Sequence, residues 1–551
     1  MAIDDSNIKS DGSFESYKRI RDNNERNVVG KAAVPGTNTF ASQSCKQTST
    51  DRAGGLVGDG CRFIADDKLI ISGRETQRSD NAGNAPGGAR IFKLKYLNTV
   101  SRPREWVEIG GIDLTLSDGS TPDTQFGKRL DATRDGLYLG IGAHELRENE
   151  GMSGNTNVGA VVVFQSGAAG YSQEKIIQEN FGQQLGFGEV IEFNKINNRL
   201  AVGVPNFSLA GTASFSSSNH GVVFVYNSSS DEGWQREVIL TSSYPNEYSN
   251  SESPASNANF GATVTYSGSF LAASEYSKTI SSDGTHNGAG AVYLFKSSSA
   301  EGWDQIARIS SSVPVHNGNF GFALRMFSDN RIAISEPGGH IQDNNVTGSV
   351  QIWQFTDGGE VSLQQAVPCP LTGGWEGYGT AYPSFGHHIA LLDDGSVMAV
   401  SRCKEGKTEP NNSAHGIFVF LSGASGYNFH KRLTRDFTIP KTTGGRGYYG
   451  ADSTSGWRHD DGTAGIYPSS LDIRPGIIIF GCNAASDSKL SGNNFGYQHG
   501  ELRVWQDPDP VAATPAPPPF SFGGNFPWTI RGQSTERAYS TTIFKGRSLK
   551  S

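Results

Sequence analysis

The chain has 551 residues, with 47 Lys and Arg against 55 Asp and Glu and a formal net charge of −8. This length allows a large core, and the mildly acidic balance does not favour a nucleic-acid groove, because phosphate binding requires clustered basic side chains. No stretch keeps a helical period or is apolar over the length of a membrane span. The sequence therefore predicts a nearly all-β protein without membrane insertion.

Between residues 56 and 506 one three-part pattern recurs seven times. An aromatic–Gly pair is followed by a short apolar run and then by a Gly-led strand of partly alternating polarity. The first copy keeps only its later parts, and the last, near Tyr449, is degenerate. A unit on the order of 65 residues suits a four-stranded sheet with long outer loops that stacks on its neighbours to bury its apolar face. The five clearest copies begin at Phe126, Phe187, Phe260, Phe320 and Phe385.

Each unit is predicted to contain four antiparallel strands. The first two are joined by tight-turn pairs such as Asp135-Gly136 and Asp394-Gly395, which favour the positive φ angles of two-residue hairpins. The second strand is continuous in small and apolar residues and belongs in a crowded interior. The fourth strand, which Trp234 begins in one copy, is more polar and belongs at the rim.

The seventh unit lacks a fourth strand of its own. Beyond residue 506 the chain is interrupted by prolines, which cannot continue a paired strand. Residues 16–21 are similar to the fourth strand of the sixth unit, and they lie in a predicted strand of about residues 13–21 within an N-terminal arm that we assign to residues 1–55. We predict that this segment, through Tyr17 and Ile20, completes the seventh sheet and closes a ring. The alternative is a disordered basic arm.

The repeated pattern resembles the FG-GAP repeats of integrin-α-type β-propellers over residues 56–506. The resemblance implies an all-β fold, a seven-bladed β-propeller of four-stranded antiparallel blades. Calcium-binding integrin repeats carry an acidic loop between strands one and two, whereas this chain has only a tight hairpin, as at residues 266–269. Because calcium needs about six to eight oxygen ligands, the calcium sites are not carried over. The calcium-free, short FG-GAP repeats of microbial and viral proteins are the more similar variety.

The segment after the repeats changes in composition. Residues 507–519 are Pro-rich, which is typical of a stiff, extended linker. Residues 520–551 combine an aromatic cluster with basic side chains, and we predict that they dock onto another protein subunit. The alternative is a solvated chain end. The predicted docking residues are Phe520, Phe522, Phe526, Trp528, Arg531, Tyr539 and Phe544.

Catalytic and metal-binding patterns are weak, so no catalytic residue, cofactor or metal site is predicted. His459 is interpreted as part of a solvated connection. Of the adjacent His387 and His388, one is expected in the core and one at the surface, because neighbouring strand residues point to opposite faces. Glu275 and Glu336 follow second strands, and we interpret them as solvated loop residues or caps of backbone amides.

The five cysteines are widely scattered and include no CxxC pair, which argues against a disulfide framework or a zinc site. Buried thiols are the expected state. A Cys45–Cys61 disulfide near the start of the first repeat is the alternative.

The sequence predicts a non-enzymatic binding or scaffold protein that is attached through its tails to a larger assembly. No secretory signal is visible, whereas FG-GAP propellers are mostly surface or exported proteins, and a virion assembled in the cytoplasm reconciles the two. The expected setting is a virion tail, fibre or capsid-surface appendage, with structural subunits and a host-surface glycan or protein as partners. Polar loops between second and third strands would share one rim. The rim-loop residues are Glu145, Glu148, Asn206, Asn219, Asp283 and Asn411.

Two alternatives belong to other functional classes. An extracellular integrin-like adhesin or carbohydrate-binding propeller would need an export signal upstream of Met1. A propeller glycosidase or lyase would need carboxylates that converge at the ring centre.

Overall fold

The computed structural model describes fifteen parts of the chain, with short gaps inside some of them. These parts are residues 37–41, 55–64, 68–75, 88–99, 102–114, 126–146, 158–179, 186–207, 220–242, 259–278, 288–370, 383–404, 416–433, 470–482 and 501–506. Within them the structure has thirty β-strands and no α-helix. The described chain is all-β.

Twenty-eight of the described strands form seven four-stranded antiparallel sheets, which we number along the chain. The first sheet is β2 (Gly55–Ile64), β3 (Lys68–Glu75), β4 (Gly88–Thr99) and β5 (Arg102–Ile112), and the second is β6 (Leu130–Ala132), β7 (Tyr138–Ala143), β8 (Ala160–Gly167) and β9 (Gly170–Ile177). The third is β10 (Val190–Phe193), β11 (Arg199–Val204), β12 (Val222–Ser229) and β13 (Gly233–Leu240), and the fourth is β14 (Val264–Ser267), β15 (Phe270–Glu275), β16 (Ala291–Ser298) and β17 (Gly302–Ser310).

The remaining three sheets keep this order with one insertion. The fifth is β18 (Leu324–Phe327), β19 (Arg331–Glu336), β22 (Ser349–Phe355) and β23 (Val361–Pro368), and a separate ribbon of β20 (Ile341–Gln342) and β21 (Asn345–Val346) lies between its second and third strands in the chain. The sixth is β24 (Pro383–Leu391), β25 (Val397–Lys404), β26 (Gly416–Gly423) and β27 (Gly426–Leu433). The seventh is β28 (Ser470–Arg474), β29 (Ile477–Cys482), β30 (Glu501–Gln506) and β1 (Thr37–Ala41).

The predicted fourth strand of the seventh sheet comes from a different N-terminal segment. β1 pairs with β30 in antiparallel register, Thr37 opposite Trp505, in the position that the sequence analysis assigned to residues 13–21. That assignment is corrected to Thr37–Ala41, while Tyr17 and Ile20 lie outside the described residues. An edge strand is held by backbone hydrogen bonds on one side only, so its side-chain pattern is a weak guide to its position.

Burial follows the predicted strand roles. Every residue of β7 and β15 is buried, whereas β9 and β13 are largely exposed. The tight hairpins are also confirmed, since Gly136 and Gly395 adopt φ angles of +69° and +72° between first and second strands. Second strands are therefore interior and fourth strands peripheral.

The core lies between successive sheets. One apolar cluster joins Val163 of the second sheet to Phe224 of the third, and another joins Val225 of the third to Leu271 of the fourth. Other clusters join the first sheet to the second, the fourth to the fifth, the fifth to the sixth and the sixth to the seventh. Each sheet thus buries its faces against its neighbours.

The Phe187-Gly188 pair of the third repeat joins two sheets. The Phe187 ring lies 5.6 Å from the Phe224 ring in its own sheet, while the Phe187 N–H donates to the Val158 carbonyl beside the preceding sheet, 3.1 Å away. A Cβ on Gly188 would lie 2.3 Å from the Ala160 carbonyl oxygen, and Gly188 has a φ of +97°. Only glycine allows this backbone approach.

The first strands contact one another in cyclic order. β2 contacts β6, β6 contacts β10, β10 contacts β14, β14 contacts β18, β18 contacts β24 and β24 contacts β28. β28 in turn contacts β2. The arrangement is consistent with a β-propeller.

Candidate functional site

A layer of mostly polar residues lies where the first strands meet. The members occupy equivalent positions in the first strands of their sheets. Asp131 pairs with Gly140 of the adjacent second strand, and Arg325 pairs in the same way with Ala333. We call this set the central layer. In sheet order it comprises Arg62, Asp131, Glu192, Thr265, Arg325, Ala390 and Asp472.

One hydrogen bond repeats between neighbouring sheets in this layer. Asp131 Oδ2 accepts from the Phe193 N–H at 2.6 Å, which joins the second sheet to the third. Thr265 Oγ1 accepts from the Met326 N–H at 3.1 Å, which joins the fourth to the fifth. The donors, Phe193 and Met326, each directly follow the central-layer residue of their own sheet, Glu192 and Arg325. These side chains therefore hold first strands at a fixed spacing.

The same bond joins the seventh sheet to the first. Asp472 Oδ2 accepts from the Phe63 N–H at 2.9 Å across 409 positions of sequence. Arg62, the neighbour of Phe63, approaches the Leu471 carbonyl oxygen at 3.5 Å. The first strand of the seventh sheet is thus linked to the first strand of the first sheet by the same contact that links consecutive sheets.

Ion pairs within the central layer cross from one sheet to others. Arg62 Nε lies 3.0 Å from Asp131 Oδ1, and Arg62 Nη2 lies 3.9 Å from Glu192 Oε2. Burial, with a smaller contribution from the Asp131 carboxylate, raises the pKa of Glu192 to about 7, although Arg325 and Arg62 oppose the shift. Burial and the Arg62 charge lower the pKa of Arg325. The carboxylates of Asp131 and Asp472 accept hydrogen bonds from neighbouring sheets.

Asp393 links hairpins of several sheets. It follows β24, and its carboxylate lies 3.2 Å from Arg134 Nη1 of the second sheet and 3.0 Å from Lys195 Nζ of the third. Its carbonyl accepts from the Ser328 N–H of the fifth sheet at 3.0 Å. Although partial burial opposes the effect, Lys195 and Arg134 lower the pKa of Asp393. The first-to-second-strand hairpins of these sheets therefore converge at one end.

Two acidic residues end second strands in the interior. Glu275 and Glu336 are each 1% exposed. Glu275 is paired with Lys278, whose Nζ lies 3.1 Å from Glu275 Oε2. Glu336 accepts from Ser311 and Gln351. The sequence interpretation of these carboxylates as solvated or capping residues is wrong, because both are buried and bind side chains.

The adjacent histidines have different environments. His387 is buried and lies with its ring centroid 4.6 Å from that of Phe322, while His388 is partly exposed. Burial, with a smaller effect of the Arg129 charge, lowers the pKa of His387 to about 3. His387 is therefore neutral at physiological pH, in agreement with the predicted core position of one histidine.

Only one predicted rim residue falls in the described parts of the chain. Asn206 is exposed in the turn after β11. Cys61 is buried, and Cys45 lies outside the described residues, as does His459. All the other predicted rim residues and all the predicted docking residues lie outside the described parts. They are Glu145, Glu148, Asn219, Asp283, Asn411, Phe520, Phe522, Phe526, Trp528, Arg531, Tyr539 and Phe544.

Sequence reasoning did not find the central layer. Its signal is a charged residue between two apolar ones in a short first strand, as in Leu130–Ala132 and in the Ile191, Glu192 and Phe193 triplet. Aligning the repeats on their tight hairpins would have placed these charges in one layer.

Comparisons with known proteins give little at the level of sequence. No family model matches the chain, and no curated protein matches it. Among solved structures the chain is similar to the Saccharomyces cerevisiae Sqt1 crystal structure, with a TM-score of 0.37 and 10% identity, over 85% of this chain and 92% of that one. In the part of the chain that the structure describes, no helix is both long and apolar enough to cross a membrane, and no group of three or more His, Cys, Asp or Glu is placed to hold a metal ion.

Proposed function

We propose that the chain forms a closed seven-bladed β-propeller that acts as a non-enzymatic binding scaffold, fastened to a larger assembly. The observation that carries the proposal is the Asp472–Phe63 hydrogen bond, because it repeats the Asp131–Phe193 bond between consecutive sheets. Because a bond of the same kind joins the last sheet to the first, it supports a closed ring.

The strand supplied by the N-terminal segment also supports ring closure. β1 covers the outer edge of β30, which would otherwise present unpaired backbone groups. The first and last parts of the propeller then share one sheet. Separating the ring would require breaking this pairing as well as the contact between β28 and β2.

In the seventh sheet, the start of β1 and the end of β30 lie at one end, and the residues that flank its longest loop lie at the other. Thr37 and Trp505 are paired at the end where β28 turns into β29, between Arg474 and Ile477. Cys482 and Glu501, which flank the longest loop, are paired at the opposite end. Tails leaving from one end can fasten the scaffold while loops at the other end contact a ligand.

The environment of Asp131, Asp472 and Glu275 supports a binding role over hydrolysis. A glycosidase needs two carboxyl groups facing a substrate. Asp131 and Asp472 instead accept backbone hydrogen bonds from neighbouring sheets, and Glu275 is paired with Lys278. These groups stabilise contacts between sheets.

We propose a virion appendage as the assembly, on the resemblance to viral FG-GAP repeats and on the aromatic, basic composition of residues 520–551. The test is co-purification of the full chain and of a version that ends at Gln506. Loss of structural partners from the shorter version is the expected result. Identical partners in both would remove the docking role of the tail, and detection of the protein only in cells, never in particles, would remove the virion.

Ring closure has a separate test. A version that begins at residue 42 lacks β1 and exposes the β30 edge, so we expect it to self-associate in size-exclusion chromatography. A version that begins at residue 22 keeps β1 and serves as the control. Monomeric, equally stable behaviour of the version that begins at residue 42 would contradict closure by Thr37–Ala41.

A further inference from the structure

Glu275 and Glu336 occupy equivalent positions in the fourth and fifth sheets. Each is the last residue of a second strand, β15 or β19. Each accepts a hydrogen bond from a serine just beyond the fourth strand of the preceding sheet, Ser242 at 2.6 Å and Ser311 at 2.8 Å. The repeat thus builds the same carboxylate pocket twice.

The third strands contribute equivalent donors to the two pockets. Tyr293 pairs with Ala273, and its hydroxyl donates to Glu275 Oε2 at 2.8 Å. Gln351 pairs with Ile334, and its Nε2 donates to Glu336 Oε2 at 2.8 Å. Each carboxylate therefore has one hydroxyl donor from the preceding sheet and one donor from its own third strand.

The pockets differ in counter-charge. Lys278, three residues after Glu275, places its ammonium 3.1 Å from Glu275 Oε2. The equivalent position in the fifth sheet is Gly339, because the Lys278 and Gly339 N–H groups donate to the carbonyls of Glu275 and Glu336 in the same way. Glycine offers no charge, so among the described residues the pocket of Glu336 has no equivalent of the Lys278 ammonium.

One oxygen of Glu336 is also left unsatisfied. Ser311 and Gln351 both bind Oε2, whereas Oε1 is buried and accepts no hydrogen bond from any residue that the structure describes. An ionised carboxylate at 1% exposure is costly without a compensating charge. A buried polar atom of this kind often marks an ordered water or ion.

A second oxygen lies on the same side. A Cβ built on Gly318 would be 2.9 Å from Glu336 Oε1, 3.1 Å from the Val315 Cγ2 methyl and 3.2 Å from the Val315 carbonyl oxygen, which also accepts from the Gly318 N–H at 3.1 Å. Carboxylate and carbonyl oxygens are the ligands that hard cations prefer. Glycine at position 318 adds no side chain of its own beside the Val315 methyl group.

We propose that Glu336 binds a monovalent cation of potassium or ammonium size, which takes the part that the Lys278 ammonium plays in the fourth sheet. A monovalent cation neutralises the single negative charge of Glu336, whereas a divalent ion would leave an excess positive charge in the pocket. Gly338 donates to the Gly318 carbonyl at 3.0 Å, so the site lies where the segment after β19 meets the segment after β17. Binding fixes the fifth-sheet loop against the fourth sheet, whatever ligand or assembly the scaffold serves.

The test is thermal unfolding of the full chain at pH 8, in potassium chloride and in tetramethylammonium chloride at equal concentration. At this pH Glu336 is ionised, since burial raises its pKa to about 7. Potassium is expected to raise the melting temperature by about 1–2 °C relative to tetramethylammonium, whose methyl groups keep its charge away from a carboxylate oxygen. Equal melting temperatures in the two salts would overturn the proposal.

The matched variants use residues from other repeats. Glu336→Val introduces the residue found at the equivalent Val204 of the third sheet and should abolish the potassium effect. The double variant E275V/K278F copies Val204 and Phe207 into the fourth sheet. It should keep the potassium effect on the melting temperature, because the pocket of Glu336 is unchanged. A potassium effect that survives in Glu336→Val refutes the site.

A direct measurement covers the case in which Glu336→Val does not fold. Crystals of the full chain soaked in thallium(I), a potassium mimic, should show an anomalous peak beside Glu336 Oε1. A peak there supports the site, and soaked crystals without one exclude it.

Discussion

The Asp472 carboxylate accepts a hydrogen bond from the Phe63 backbone N–H at 2.9 Å, although 409 positions separate the two residues. Asp131 makes the equivalent bond to Phe193 between sheets that are consecutive in the chain. The pairing of the most distant sheets therefore obeys the same local rule as the pairing of neighbours. We expect a long-range contact of this kind to form late in folding, because its loop-closure entropy is lost before the contact is gained.

Asp472→Ala should lower the free energy of unfolding by about 1–3 kcal/mol, because it leaves the Phe63 N–H unsatisfied and removes a negative charge near Arg62. Urea unfolding followed by tryptophan fluorescence measures the change. Asp357→Ala is the matched control, since this exposed aspartate pairs with Lys296 at the surface and should contribute less than about 0.5 kcal/mol. Equal effects of the two substitutions would contradict a closing role for Asp472.

Gly188→Ala should destabilise the protein by about 3 kcal/mol or more, because the new Cβ would lie 2.3 Å from the Ala160 carbonyl oxygen. Gly233→Ala is the control, since Gly233 has a φ of +66° with nothing within 4 Å of an added Cβ. It should cost only about 1 kcal/mol, from backbone strain alone. Chemical denaturation of both variants separates crowding between sheets from the preference for glycine at positive φ.

Lys278→Met should cost about 3–5 kcal/mol, because it leaves the buried Glu275 carboxylate without its counter-charge. The double variant E275V/K278F should instead be close to wild type in stability, since Val204 and Phe207 occupy these positions in the third sheet and are buried. A double-mutant cycle of Glu275→Val, Lys278→Phe and E275V/K278F, measured by denaturation, gives the coupling. A double variant less stable than Lys278→Met would show that the third-sheet pair cannot replace the ion pair.

His387 should make the protein sensitive to acid. Its pKa is lowered to about 3 in the fold, below the ordinary value of 6.5, so the neutral form is favoured in the native state. Its contribution is complete above pH 6.5 and is lost as pH falls from about 6.5 towards about 3, by up to roughly 5 kcal/mol. Unfolding free energies of wild type and His387→Phe between pH 7 and 4 test this, and parallel curves would contradict the prediction.

The strand plan of the repeats could be predicted because local chemistry determines it. Turn residues such as Gly136 and Gly395 need positive φ, and the buried apolar runs show which strands are interior. The aromatic–Gly pairs were recognised as the start of each repeat. Their role in joining sheets was not predicted, because it depends on which carbonyl of another sheet lies beside Gly188.

The remaining features depend on spatial neighbours that one sequence does not reveal. Thr37–Ala41 has a polar pattern that many surface segments share, and its partner is more than four hundred residues away. The burial of Glu336 follows from donors in two sheets, Ser311 and Gln351, rather than from its own sequence context. Comparing repeats position by position would have identified it as the counterpart of Glu275.

The antiparallel register of β1 and β30, with Thr37 opposite Trp505, has a mechanical consequence. A force that pulls the two outgoing chain segments apart acts across the strands and unzips their hydrogen bonds one after another, at low load. A force applied through the C-terminal segment alone pulls β30 lengthwise between β1 and β29, so that both ladders must shear together. An anchor at the C-terminal side would therefore bear tension far better than an anchor that grips both sides.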